Sequence, residues 1–196
     1  MKKNVPGRIA DSLVLSGAVP AEDKALYEFG IRQGILLVIN IATAVLIGMI
    51  MGMVWQTIVF LIAYVPVRSY AGGYHAGTQL ICYLLSIPMI LAVLLGVRFI
   101  SWNGYVFSIL IVCAGIAVFL LAPVEDRNKP LDQLERAVYG KKARMISVIL
   151  IAASISLWLT GAVQSALSVA MALGAITVML VLGSIKNRNL MKEEKA

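Results

Sequence analysis

The chain has 196 residues, 60% of them hydrophobic and only 14% charged, with a formal net charge of +7 and a mean hydropathy of +0.89. Soluble domains carry about a quarter charged residues, so this composition excludes an ordinary soluble enzyme or binding domain. The positive charge reads as membrane topology plus attraction to anionic lipid head groups, and no basic stripe with interleaved aromatics points to nucleic acid.

Taken in chain order, residues 1–32 read as an amphipathic cytoplasmic arm. Lys2 and Lys3 are followed by Pro6, Arg8 and Asp11 rather than by an unbroken apolar core, which argues against a cleaved signal peptide. Ile9, Leu13, Ser16 and Gly17 share one helical face, predicting a short helix on the membrane surface. Pro20 followed by Glu22 and Asp23 signals a helix start, and that helix runs through Leu26 and Phe29 towards the first span.

A helix needs about 20 apolar residues to cross a bilayer core. The uncharged stretches 33–67, 69–97, 99–124 and 145–185 include several too long for one crossing and read as hairpins. They predict six spans, near 33–52, 54–66, 80–97, 104–122, 145–160 and 165–184. The second is short, bounded by Trp55-Gln56 and Pro66, and merging it with the first gives the competing four- or five-span arrangement. The expected fold is all-α and polytopic: one integral membrane domain over 1–196, about six transmembrane helices, and an N-terminal amphipathic arm. Gly48 and Gly52, four apart in the first span, offer a helix-association face and with it a homodimer.

Basic residues set the orientation, because cytoplasmic loops are rich in Lys and Arg. With six spans, sixteen of the seventeen lie inside, in the arm, at Arg68, in the basic loop 123–144 and in the tail; only Arg98 falls outside. All ten acidic residues fall inside as well. Both termini are therefore expected in the cytoplasm.

Reactive side chains are few. Two cysteines and one histidine cannot make a Cys/His zinc site, and no cofactor motif is present. Cys113, in the middle of a span, reads as a buried small hydrophobe; its depth argues against a disulfide with Cys82. Cys82 stands seven residues after His75, in a polar, glycine-rich segment over 67–82 that also holds Arg68, Gly72 and Gly73. A catalytic cysteine needs a thiolate, and an imidazole is the usual means of obtaining one near neutral pH. On an unbroken helix, positions seven apart are separated by about 10.5 Å along the axis, too far for a thiol–imidazole hydrogen bond. The helix must therefore break between them. Thr78 can cap the third span and leave Cys82 near its first turn, where the helix dipole favours a thiolate. Gly72 and Gly73 can turn the backbone back towards Cys82. The competing reading treats the histidine and the cysteine as packing residues and Arg68 as an interface anchor with its stem in lipid; the functional reading of Arg68 is recognition of a carboxylate or anionic peptide.

The run Arg68…Gly73-x-His75-Ala76-(x5)-Cys82 resembles the signature of the accessory gene regulator B (AgrB) family, membrane cysteine endopeptidases that process quorum-sensing propeptides. Size, the amphipathic arm, the multiple spans and Ala122-Pro123-(x5)-Lys129-Pro130 extend the resemblance over most of the chain. It implies that Cys82 attacks a propeptide carbonyl near the C-terminal side and holds the N-terminal part as a thioester. An internal cysteine or serine of the peptide then closes a thiolactone or lactone. His75 becomes the base that later protonates the leaving amine. Backbone N–H groups at the start of the third span, with Gln79 as a side-chain option, are candidates for the oxyanion hole. Gln33, Ser69 and Glu125 are candidates to orient His75. Arg127 and Lys129 read either as a solvated positive-inside connector or as a site for acidic residues of the propeptide.

The rival function is a peptide transporter or exporter without peptidase activity. Buried charges usually mark a transport path, and the predicted spans carry no clear internal Asp, Glu, Lys or Arg. A Walker-type phosphate loop is also missing from the sequence. A purely structural membrane partner is the remaining alternative.

Overall fold

The computed structural model describes residues 5–74, 78–125 and 131–193, and the regular elements among them are helical. In order they are α1 (Val5–Leu15), a 3-10 turn (Ala21–Asp23), α2 (Lys24–Ile50), α3 (Val54–Ala71), α4 (Gln79–Phe99), α5 (Gly104–Leu121), α6 (Gln133–Leu159) and α7 (Val163–Glu193). The chain separates within α2 into two compact units, 1–43 and 44–196.

In the first unit α1 closes at Leu15, so Ser16 and Gly17, expected on its face, follow the helix instead. The start signal at Pro20 is met by the 3-10 turn, whose last residue leads directly into Lys24 of α2. Lys24 makes an ion pair with Asp11 of α1, tying the two helices of this unit together. No break separates arm from span: the helix that begins at Lys24 runs on to Ile50.

The second unit is built around α7, which packs on α3, α4, α5 and α6. The reason lies in its sequence. From Ala166 to Leu180 it is apolar but for Ser168 and Thr177, whose hydroxyls bond carbonyls of their own helix. Ala166, Ala170, Ala172, Leu173, Ile176 and Leu180 are fully buried, as expected of a helix enclosed by others rather than half-facing lipid. Small residues let the backbones approach, which is how helices pack where lipid supplies no hydrophobic drive. The outer helices show the opposite pattern. Leu80, Leu84, Leu95, Ile109, Val112 and Leu120 are exposed on α4 and α5, a large apolar surface that suits lipid.

The expected α2–α3 break occurs at Met51–Met53. Gly52 takes φ +66, and the N–H of Met53 donates back to the Gly48 carbonyl at 2.7 Å, closing α2 with a left-handed residue that glycine adopts without penalty. This corrects the association face expected of Gly48 and Gly52. A Cβ at Gly48 would lie 2.3 Å from the Thr57 hydroxyl, so Gly48 is covered by the chain's own α3, and Gly52 is not helical at all.

Among the described residues, five helices are long and apolar enough to cross a membrane: 21–50, 80–99, 104–121, 133–159 and 163–189. The expected second span, α3, is absent from this set because its 18 residues include Gln56 and Arg68. It nevertheless traverses the unit from end to end. At one end Trp55 donates from Nε1 to Ser165 Oγ at 2.9 Å, Gln56 meets Gln164 at 2.9 Å, and Arg98, at the end of α4, reaches the Met51 carbonyl at 3.3 Å. At the other end the residues after α3 lie on Met179 and Gly183 of α7. From Ser165 to Gly183 is about 27 Å of helix, close to the roughly 30 Å of a hydrocarbon core. Only its inner side, at Thr57, Phe60, Ala63, Val67 and Ala71, is buried; Trp55, Ile58 and Ile62 are exposed on the other.

Cys113 is also corrected. The inward face of α5 is Phe107, Ile111, Ala114 and Val118; Cys113 lies one residue, about 100° of helix, off that face and is exposed. Neither cysteine is in a disulfide.

Candidate functional site

Helix α3 ends because its last turn runs into two glycines. Gly72 takes φ +68 and ψ −139, and Gly73 takes φ +117, conformations that side chains with a Cβ rarely adopt. Close approach is the second reason for glycine. A Cβ at Gly72 would sit 2.0 Å from the Val124 carbonyl oxygen. One at Gly73 would meet Arg68 Nη1 and the Met179 carbonyl at 2.9 Å.

The freed strand is then pinned from three sides. Gly72 and Val124 form an isolated parallel bridge: the N–H of Val124 donates to the Ala71 carbonyl at 2.9 Å, and that of Gly73 to the Val124 carbonyl at 3.2 Å. From α7, the Met179 carbonyl accepts the N–H of Tyr74 at 2.8 Å. From α3, the Arg68 guanidinium donates to the carbonyls of Gly72 and of Tyr74, the latter at 2.6 Å. Tyr74 thus has both backbone groups bonded, one to α7 and one to α3. Above its ring lies the Lys186 ammonium, 5.3 Å from the centroid, within cation–π range.

The 122–125 segment is held in turn. Asn187 Nδ2 donates to the Glu125 carbonyl at 2.9 Å. The Glu125 carboxylate forms an ion pair with Arg136 and accepts the N–H of Leu131 at 3.2 Å. Asp132 and Glu135 close a capping box at the start of α6. Beside it an open groove of about 470 Å³ is lined by Pro123, Gln133, Arg136, Gly140 and Arg144, among others.

Thr78 is the N-cap of α4, as its position in the sequence suggests. It is extended, and its hydroxyl accepts the N–H of Ile81 at 3.3 Å. The N–H of Cys82 donates to the Thr78 carbonyl at 3.1 Å, the first intrahelical bond. Cys82 is half-buried at the end of this first turn. Sixteen residues, about 24 Å of helix, separate it from Arg98, so Cys82 lies at the same end of the unit as the Gly72–Tyr74 strand and Val124.

The expected site residues divide as follows. Arg68, Gly72 and Gly73 come together around Tyr74, and Cys82 stands in the first turn of the next helix. His75, Arg127 and Lys129, and the side chain of Gln79, lie outside the described residues. Of the candidates to orient His75, Ser69 is exposed and bonded to the Val65 carbonyl of its own helix at 2.8 Å, and the Glu125 carboxylate is engaged at the start of α6. Gln33 belongs to the first unit. Among the described residues no group of three or more His, Cys, Asp or Glu could hold a metal.

The contribution of α7 is not among the features expected from the sequence. Gly183, Met179, Lys186 and Asn187 all touch the strand or its partner segment. The only cue was a glycine in an apolar run, Val181-Leu182-Gly183-Ser184, near the end of the last span.

Comparison with known proteins matches residues 7–184 to the family Accessory gene regulator B. AgrB-like protein 2 of Clostridium perfringens (strain 13 / Type A) is 24% identical over 156 residues, 74% of this chain and 71% of that protein. An AgrB-like protein of Clostridium perfringens (strain SM101 / Type A) is 26% identical over 132 residues, 63% of this chain and 61% of the relative. No solved structure matches. With the match spanning nearly all of a multi-pass helical chain, the protein belongs to the accessory gene regulator B family, a family tied to accessory gene regulator peptide processing.

Proposed function

We propose that this protein is a membrane cysteine endopeptidase that cuts an accessory gene regulator propeptide and cyclises the part it retains. The observation that carries the reading is the capped start of α4, with Cys82 in its first turn at the end of the unit where Arg68, Arg136, Arg144 and Lys186 gather. At a helix N-terminus the unpaired N–H groups favour negative charge, so both a thiolate and a developing oxyanion are stabilised there.

In the first step Cys82 Sγ, deprotonated by His75, attacks the scissile carbonyl carbon. The C–N bond breaks, the imidazolium gives its proton to the leaving amine, and the N-terminal part of the peptide remains as a thioester on Cys82. In the second step an internal cysteine thiol of the peptide, or a serine hydroxyl, gives its proton to His75 and attacks the thioester. The ring closes and Cys82 leaves as the thiolate, which recovers its proton. A thioester exchanged for a thioester is nearly isoenergetic, so water must be kept out for the ring to win over hydrolysis.

Orientation is part of the reading. Within 44–196 the described basic residues cluster at the Val124 end, whereas Arg98 alone stands near Met51. That asymmetry supports a cytoplasmic site with both termini on the same side, given that α3 traverses the unit. The partner is then a short cytoplasmic propeptide, and Arg127 and Lys129 are candidates for its acidic residues.

Co-expression of the propeptide with Cys82→Ser or His75→Ala, followed by mass spectrometry of the peptide and membrane fractionation, tests this. Loss of cleavage with normal insertion is expected. Continued cutting by either variant refutes the assignment.

A further inference from the structure

We infer that Gly183 of α7 is a positioning residue for the reaction, setting the strand that leads from α3 into the catalytic segment; this rests on the acyl-transfer reading of Cys82. The strand does not lie on side chains of α7 but on its backbone. A Cβ at Gly183 would come within 2.7 Å of both the Gly73 carbonyl carbon and the Tyr74 nitrogen, and 3.0 Å from Val124 Cγ1. One turn earlier, the Met179 carbonyl takes the N–H of Tyr74 at 2.8 Å. The missing side chain is therefore what lets Tyr74 reach Met179.

Neighbouring contacts point the same way. Gly73 must also lack a Cβ, because one there would meet the Met179 carbonyl at 2.9 Å. Lys186, three residues beyond Gly183, sits over the Tyr74 ring, and Asn187 holds the Glu125 carbonyl. Met179 and Gly183 thus meet the backbone of Gly73 and Tyr74, Lys186 meets the Tyr74 ring, and Asn187 holds the neighbouring 122–125 segment. The two nearest neighbours that a Cβ at Gly183 would meet are backbone atoms of Gly73 and Tyr74, which cannot swing aside as a flexible side chain does. Adding one methyl there must lift the strand from α7. His75, the proposed base, follows Tyr74 in the sequence, so this is the backbone that leads into it, and misplacing a catalytic group by about 1 Å can cost about a hundredfold in rate.

Gly174, nine residues earlier on the same helix, is the matched control. A Cβ there would meet only Leu110 Cδ1, at 3.0 Å, and Leu110 Cγ, the far end of a movable side chain. With full-length protein in liposomes, in a Cys113→Ala background, two readouts are taken for wild type, Gly183→Ala, Gly174→Ala, His75→Ala and the His75→Ala/Gly183→Ala double variant. One is kcat and KM for propeptide cleavage; the other is the rate of Cys82 alkylation as a function of pH. Gly183→Ala is expected to lower kcat at least tenfold with KM within twofold. Its alkylation profile should shift towards that of His75→Ala, and the double variant should alkylate as His75→Ala does, because Gly183 acts through that residue.

A Gly183→Ala protein indistinguishable from Gly174→Ala, or effects of Gly183→Ala and His75→Ala that simply multiply, overturns the inference while leaving the peptidase reading intact. If His75→Ala and Cys82→Ser cleave normally, the reading itself fails. Should Gly183→Ala not insert, Lys186→Leu decides: it removes the cation above Tyr74 without crowding the strand. A two- to fivefold fall in kcat with the same direction of profile change supports the inference, and wild-type behaviour overturns it.

Discussion

Replacing Gly72 by alanine separates close approach from mere backbone conformation. Gly72 has φ +68 and ψ −139, a region open essentially to glycine alone, and an alanine held there costs about 1–3 kcal/mol. The added Cβ would also lie 2.0 Å from the Val124 carbonyl oxygen, so the 122–125 segment must move. That movement gives up the bonds from Val124 to Ala71 and from Gly73 to Val124, each worth about 1 kcal/mol. The sum is about 3–5 kcal/mol. Gly52→Ala supplies the comparison, because Gly52 also has positive φ, +66, but nothing lies within 4 Å of its Cβ position; the left-handed cost alone is about 1–2 kcal/mol. Unfolding of purified protein in mixed micelles by added dodecyl sulfate, followed by tryptophan fluorescence, measures both. Gly72→Ala should lose about 2–3 kcal/mol more than Gly52→Ala. Equal losses would show that the Gly72–Val124 crossing does not hold the fold together as the distances require.

Three further outcomes follow from the same geometry. Thr78→Ala removes the oxygen that accepts the Ile81 N–H, at a cost of about 1 kcal/mol; exchange of the Ile81 amide should quicken about fivefold, and unchanged protection would argue that the cap is idle. A charged maleimide applied to open membrane fragments should label Cys82 faster than Cys113, whereas a lipid-soluble maleimide should reach Cys113 on the outer face of α5; equal labelling of both by the charged reagent contradicts a lipid-facing Cys113. Arg68→Lys keeps the charge but loses the fork that spans the Gly72 and Tyr74 carbonyls, so cleavage should fall at least tenfold with normal insertion, and wild-type turnover would remove Arg68 from the positioning of this strand.

Much of this molecule is written in local chemistry. Long apolar runs, Pro20, and the Thr78 cap before Cys82 each act through their nearest neighbours in the chain, so the helices and the placement of Cys82 in a first turn follow from the sequence alone. Other features depend on what lies across the bundle. Arg68 looks equally like an interface anchor or an anion receptor until the Gly72 and Tyr74 carbonyls are found against its guanidinium. Gly48 looks like a dimer contact until Thr57 covers it, and Cys113 looks buried until Ala114 and Val118 are seen to hold the inner face of α5. Gly183 offers locally no more than a glycine in an apolar run: its close contact exists only because the Gly73–Tyr74 backbone, 110 residues earlier, crosses α7 there. Spacing along a chain determines which residues share a helix, but close approach between distant segments is set by how the helices stack, and only the tertiary structure records it.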